Sequence, residues 1–216
     1  IKLADEFLRS VFLDMFGDPV TNPKGWEVKT IEQLVKKEKH SLKRGPFGGA
    51  LKKEIFKESG YLVYEQFHAL NDDFTFQRYF IDEAKFTELK AFEVFAGDII
   101  ISCSGVNLGR LAIVPDGSPR GIINQALLKV TLDNKKILNE FFVNVFTNPN
   151  FKEEFFGDER GSGVPNFPPM SSFKEFKFIC PPINLQHEYL KVFRVAKKML
   201  EHLIDGLEEK NGLFNS

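Results

Sequence analysis

Four histidines, two cysteines and a scatter of carboxylates are the groups from which this 216-residue chain could build a reactive centre. His40, His68, His187 and His202 show no metal-ligand spacing, and Cys103 and Cys180 stand too far apart for a zinc motif, so no metal site is expected. Asp116, after Pro115, and the Asp133-Asn134-Lys135 run formally fit the two-carboxylate-plus-lysine pattern that holds magnesium for phosphodiester hydrolysis. Both pieces, however, read as polar turns at strand ends rather than as ligands on a strand. Ser171 and Lys174 have a Ser-x-x-Lys spacing, but nothing else in the chain supports an acyl-enzyme. No catalytic residue is assigned.

Binding chemistry is better represented. Lys36, Lys37, Lys39, His40, Lys43 and Arg44 run directly into Gly45-Pro46-Phe47-Gly48-Gly49, and Lys52 and Lys53 follow. Glycine lets a backbone approach a phosphate closely, and flanking cations neutralise it. A solvated basic loop is the plainer alternative. The run from Ser102 through Ser104, Gly105, Asn107 and Gly109 to Arg110 sets small polar groups and one arginine in a turn between two strands. Arg120 and then Asn124-Gln125 follow the next turn. Arg, Asn and Gln carry the donors and acceptors that read base edges. Singly each is ordinary, but three such loops in one small domain point toward nucleic acid. Asn148-Pro149-Asn150-Phe151 is similar to the Asn-Pro-Pro-Tyr/Phe loop of amino-methyltransferases that act on a flipped base, but it lacks the second proline. No Gly-rich cofactor loop follows an early strand either.

These loops need a scaffold. Residues 1–16 read as a helix with Leu3, Phe7, Val11 and Met15 on one face and Leu8 and Phe12 beside it, stopped by Gly17 and Pro19. Short strands are expected at 61–65, 77–81, 99–102, 110–114, 122–132 and 175–180, one helix at 137–147, and irregular chain at 157–171. After Pro181-Pro182 a long helix is expected from 183 to about 211, capped by Asn184, with Glu188 near its positive end. Lys210 and Asn211-Gly212 would end it. At ~1.5 Å per residue it would be roughly 40 Å long. Leu185, Tyr189, Val192, Ala196, Met199 and Leu203 form one apolar seam, and Leu190, Phe193, Leu200, Ile204 and Leu207 form a second. Two seams make a face too wide for a simple coiled coil, so the helix lies on its own domain or pairs with another chain.

The expected fold class is therefore α+β: a globular domain with a mixed, mainly antiparallel sheet, then a long C-terminal helix. The division is 1–16, 17–182 and 183–216. A net charge of −1 excludes a bulk basic field, though not a local patch. With 24 phenylalanines in the chain, most must be core, because stacking platforms need only a few. Two scattered cysteines fit a reducing cytoplasm, and no stretch nears ~20 apolar residues, so nothing is expected to span a membrane. The chain opens on Ile1 rather than Met, which reads as a segment of something longer.

Taken in order, these pieces resemble half of a specificity subunit of type I restriction–modification systems. The pieces are Met15 to Trp26 (Met-Phe-Gly-Asp-Pro-Val-Thr-Asn-Pro-Lys-Gly-Trp), Gly45 to Gly49, Gly97 to Ser102 and the Ser104–Arg110 turn. Gly161 to Asn166 (Gly-Ser-Gly-Val-Pro-Asn) and Pro181-Pro182 with Gln186 complete the set, which covers essentially the whole chain. The resemblance implies one target-recognition domain plus one helical spacer, a second recognition domain or second copy paired through antiparallel helices, and double-stranded DNA as ligand. It implies a bacterial or archaeal cytoplasm and no cofactor in this chain. S-adenosylmethionine belongs to the partner modification subunit, and ATP and magnesium to the restriction subunit.

On that resemblance, Lys43, Arg44, Lys52 and Lys53 would meet phosphates, with Arg120 nearby. Loops carrying Ser104, Asn107, Arg110, Asn124, Gln125 and Arg160 would lie near bases. Leu185, Tyr189, Val192, Phe193, Ala196, Met199, Leu200, Leu203 and Leu207 would face a helical mate. A stand-alone nuclease or methyltransferase domain and a protein scaffold indifferent to DNA remain the alternatives.

Overall fold

The computed structural model describes residues 2–47, 49–157 and 167–214. From the N-terminus the chain forms α1 (Lys2–Phe16), β1 (Val28–Thr30), α2 (Ile31–Leu34), β2 (Leu42–Arg44), β3 (Tyr61–Tyr64), α3 (Gln66–Asn71), β4 (Phe80–Ile81), α4 (Glu83–Glu88) and β5 (Glu93–Val94). There follow β6 (Ile99–Ser102), β7 (Leu111–Ile113), β8 (Gly121–Ile123), β9 (Leu127–Val130), α5 (Asn139–Thr147), α6 (Pro149–Phe156), α7 (Met170–Lys174), β10 (Lys177–Ile179) and α8 (Ile183–Phe214). None of these helices is long and apolar enough to cross a membrane.

The Ile99-Ile100-Ile101 run puts apolar side chains on both sides of one strand, which needs cover on both faces. It has that cover. β6 lies inside a fully antiparallel four-stranded sheet of order β2-β9-β6-β7. Ile99 and Ile101 face an aromatic core built with α1, α5 and α8, while Ile100 faces a second core shared with β3 and β8. The second sheet has order β4-β3-β8-β5, and its β3–β8 pair is parallel. Its outer face is closed by Phe86 of α4 together with Leu89, packed on Val63, Ile81 and Ile122. The parallel pairing is close: a Cβ on Gly121 would stand 2.0 Å from the Leu62 carbonyl oxygen, so only glycine fits there.

A two-stranded clasp, β1 with β10, joins the beginning and end of the globular part. The run from Gly17 to Trp26 turns α1 into that clasp. Gly17 has φ +77° beyond the helix, and the Lys24 ammonium donates to the orphan carbonyls of Asp14 and Met15. Asp18 accepts from the amides of Val20 and Thr21, and the Trp26 indole donates to the Phe16 carbonyl at 2.9 Å.

Helix α8 is joined to the rest by rings, by one buried amide and, further along, by the Arg194–Glu140 ion pair to α5 (2.7 Å). Phe12 and Phe16 of α1, Phe141 of α5 and Tyr189 of α8 form an edge-to-face nest with centroids 4.9–6.1 Å apart. Beside it the fully buried Gln186 accepts from the Leu138 amide (2.9 Å) and donates to the carbonyls of Lys136 (3.0 Å) and Pro181 (2.8 Å).

Several expectations need correcting. The strands divide among three sheets rather than one mixed sheet. Residues 122–132 are two strands, because Asn124 folds its side chain onto the Ala126 amide and breaks the run. At the start of α8 the Pro182 carbonyl, not an Asn184 cap, accepts the first bonds, from Leu185 and Gln186. The helix continues past Asn211-Gly212 to Phe214. Leu185, Tyr189 and Phe193 pack on the chain's own core rather than facing a mate, leaving Val192, Met199 and Leu203 exposed and Ala196 and Leu200 half-buried. The side chain of Leu207 lies outside the described residues.

Replacing Gln186 with Leu would strand buried backbone groups that no apolar side chain satisfies. Urea unfolding should show a loss of about 2 kcal/mol or more. Phe16→Ala should cost about 3–5 kcal/mol by the same measurement.

Candidate nucleic-acid interface

Strand register decides which loops meet. Arg44 pairs opposite Leu128, Ser102 opposite Leu127, and Ile101 opposite Leu111. The chain therefore leaves β2 and β6, and enters β7 and β9, at the same end of the sheet. Four strands at ~4.8 Å spacing make that end about 14 Å wide, close to the ~12 Å of a DNA major groove.

Backbone contacts bind these loops together. The Gly45 amide donates to the Leu127 carbonyl (2.9 Å), and the Cys103 amide to the Ala126 carbonyl (2.8 Å). A Cβ on Gly45 would lie 1.8 Å from the Asn124 carbonyl oxygen, so the Gly45–Lys53 loop passes over the Asn124–Ala126 turn in direct backbone contact. The third loop is a short 3-10 turn, Gly105–Asn107, between Gly105 and Gly109 at φ +73° and +71°. Gln66, on α3, secures it by donating to Ser102 Oγ (2.8 Å) and the Ser104 carbonyl (2.9 Å). Nothing in the sequence marks Gln66, since a lone glutamine opening a six-residue helix gives no signal.

Of the expected contact residues, Arg44, Ser104, Asn107, Arg110, Asn124 and Gln125 gather at this end, while Lys52 and Lys53 lie further along the loop that leaves β2, where Leu51 and Ile55 pack on the second sheet. Lys52, Lys53, Asn107, Arg110 and Gln125 are exposed. Arg44 is half-buried, 5.9 Å from the Phe167 ring centre, with its Nε unsatisfied and no carboxylate paired to it among the described residues. Its charge acts against the burial that pushes the Cys103 thiol up to about 12. Arg110 spends one guanidinium donor on the Leu70 carbonyl (2.9 Å), which leaves others directed elsewhere. Lys152, which the sequence reading omitted, is half-buried; burial first, and then the Arg110 charge, lowers its ammonium pKa. Like charges held together without carboxylates suit an anion that comes from outside.

Two expected residues lie elsewhere. Arg120, at the far end of β8, bonds the buried Glu93 carboxylate (2.7 Å) and covers the Phe86 ring at 4.9 Å, so its role here is structural. Lys43 points to the opposite face of β2 from Arg44, over the Phe92 ring at 4.9 Å. The basic run also splits. Lys36, Lys39 and His40 sit with Lys129 around a cleft at the other end of the sheet, where burial and then the charges of Lys43, Lys39 and Lys129 lower the His40 pKa. Arg160 and the 161–166 run lie outside the described residues.

The discarded catalytic patterns have structural uses. Asn148 accepts from the Asn150 amide (3.0 Å) ahead of Pro149, which caps α6. Asp133 accepts from the Lys135 amide in a turn, and Lys174 pairs with Glu32. His68 is fully buried, bonded to the Glu65 amide and the Phe76 carbonyl.

A family model described as the type I restriction modification DNA specificity domain matches residues 23–209. Solved structures are similar in fold. The HsdS subunit from Thermoanaerobacter tengcongensis superposes with TM-score 0.62 at 11% identity, covering 95% of this chain and 46% of that one. The type I restriction-modification S subunit from M. genitalium gives TM-score 0.57 at 16% identity over 98% and 51%. A chain from a structure titled for complex assembly and conformational transition of the type I R-M system gives 0.59 at 11% over 99% and 50%. This chain thus spans about half the length of each. No curated protein matches it.

Gly45→Ala should force the two loop backbones apart and cost about 1–3 kcal/mol in denaturant unfolding. Gln125→Ala, on the exposed tip, should leave stability within about 0.5 kcal/mol of the parent.

Proposed function

Because this chain belongs to the type I restriction modification DNA specificity family, we propose that its sheet end reads one short half of a bipartite double-stranded DNA target. The reader is not itself the catalyst. The observation carrying this reading is the convergence of three loops at one sheet end, with Arg44 and Arg110 at their roots and Lys152 on α6 sensing the Arg110 charge, none of the three with a carboxylate partner among the described residues. In this reading Lys52 and Lys53 flank the bases and hold phosphates, while Gln125, Asn107 and Arg110 reach base edges. Phosphate contacts govern affinity, and base contacts govern sequence choice.

The remaining assignments follow from the family and from the helix. The domain from 17 to 182 is the reading head. Helix α8 is the spacer that sets the gap between half-sites, docks modification subunits and pairs antiparallel with a second copy or a second recognition domain. Its exposed Val192, Val195, Met199 and Leu203 supply an apolar stripe for that pairing. Adenine methylation with S-adenosylmethionine falls to the modification subunits, and ATP-driven cleavage to the restriction subunit, in a bacterial or archaeal cytoplasm.

An adenine-methylation map of cells expressing this chain with a cognate modification subunit tests the reading. A gapped motif that depends on this chain supports it, palindromic for a self-paired copy and asymmetric for a separate second domain. No chain-dependent methylation beside an active modification subunit counts against it and favours a scaffold.

Within the assembled complex, Lys52→Ala and Lys53→Ala should each weaken all DNA sequences alike and reduce the slope of log K against log salt by about 1. Arg110→Ala should relax preference at one base position, by about 1–3 kcal/mol, in competition binding.

A further inference from the structure

The loop that crosses the Asn124–Ala126 turn carries an exposed ring. Phe47 is 73% exposed, more than any other large hydrophobic side chain described. The other exposed rings on the globular part have neighbours: Phe67 lies against Phe76 at 4.1 Å between centroids, and Phe95 has the Lys129 ammonium at 5.9 Å. Among the described residues Phe47 has neither a ring partner nor a cation over its face. Its support is nevertheless firm. Pro46 is buried with its φ locked by the ring, and Gly45 before it is bonded to Leu127 and pressed on the Asn124 carbonyl.

The surroundings say what such a ring would meet. Arg44 precedes it without a carboxylate partner, the exposed Lys52 and Lys53 follow it, and the Asn124–Gln125 turn lies beneath its loop. Cations before and after Phe47 in the chain suit the phosphates that flank the bases an exposed ring would meet. Gly45 and Gly49 carry no side chains to hold a duplex away. A flat apolar ring presented to stacked bases gains area by entering the stack, where it partly separates one base step.

We propose that Phe47 is a wedge that inserts into the base stack of the half-site read by this chain. The ligand class is a base step of duplex DNA, and the proposal rests on the DNA-recognition reading above. Ring insertion would contribute affinity and sense how readily that step opens, without reading a hydrogen-bond pattern.

The test uses the full chain assembled with its modification subunits. The probes are duplexes carrying the mapped motif, with 2-aminopurine placed in turn at each half-site position except the adenine that is methylated. The parent complex should brighten the probe at one step. Phe47→Ala should abolish that signal and weaken binding roughly tenfold, the order of one base–aromatic stack, with the methylated motif unchanged. Phe47→Trp should restore both. If no position brightens with the parent, or if Phe47→Ala keeps signal and affinity while methylating the same motif, the wedge is overturned and recognition stands. If the parent complex directs no methylation at all, the recognition reading fails and the wedge falls with it.

Discussion

One buried side-chain amide orients the long helix against the globular part of the chain. The ring nest around Tyr189 holds α8 down, but apolar contact has little directional preference, and a helix on a greasy surface can rotate. Gln186 removes that freedom with three bonds of definite direction to backbone groups at Lys136, Leu138 and Pro181. The lever is long. For a helix of 32 residues, about 48 Å, a 10° error at its base displaces the far end by roughly 8 Å, more than two base-pair steps of DNA. In the proposed spacer role, α8 therefore needs its angle set at this joint.

The opposite constraint operates at the sheet end, where backbone, not side chains, does the positioning. Gly45 against Asn124, Cys103 to Ala126 and Gly109 to Ser102 hold the loops by main-chain contacts. The exposed Asn107 and Gln125 side chains at the tips are not needed for these contacts, whereas Asn124 and Arg110 each make one bond to the scaffold. Arg120 marks the boundary by contrast. It has the right chemistry for DNA, yet its carboxylate partner and its ring platform occupy it within the fold. In the proposed reading, unpaired charge at a shared strand end, rather than charge alone, marks the interface.

Much of this was legible in the residues, and the failures have identifiable causes. The triple isoleucine of β6 and the phenylalanine-rich α5 announce themselves by pattern, and both form nearly where expected. Helices α2, α3, α4, α6 and α7 have four to eight residues, too few to display a helical period. The wide double seam of α8 was read as one interface, but burial divides it along its length. Tyr189 and Leu190 at the base are core, and Val192, Met199 and Leu203 further along are bare. Periodicity reports which face is apolar, not what covers it. Likewise Lys43 and Arg44 looked like one basic unit until the alternation of a strand sent them to opposite faces. Lys152 lies 42 positions from Arg110, so only the packing of α6 could bring the two charges together.

The small clasp of β1 on β10 has a consequence for heredity. Val28 faces Ile179 and Thr30 faces Lys177, so the chain enters and leaves the globular body at one spot. Everything that would meet DNA hangs between those two points, while the joint to α8 is made largely by residues outside them and by α5. A gene could exchange the segment between the clasp strands and keep the helical frame, provided the newcomer retained backbone like that at Lys136 and Leu138 to receive Gln186 and a helix beside the rings. On the proposed reading, new sequence preferences would then arise by recombination in a single step, without rebuilding α8 residue by residue.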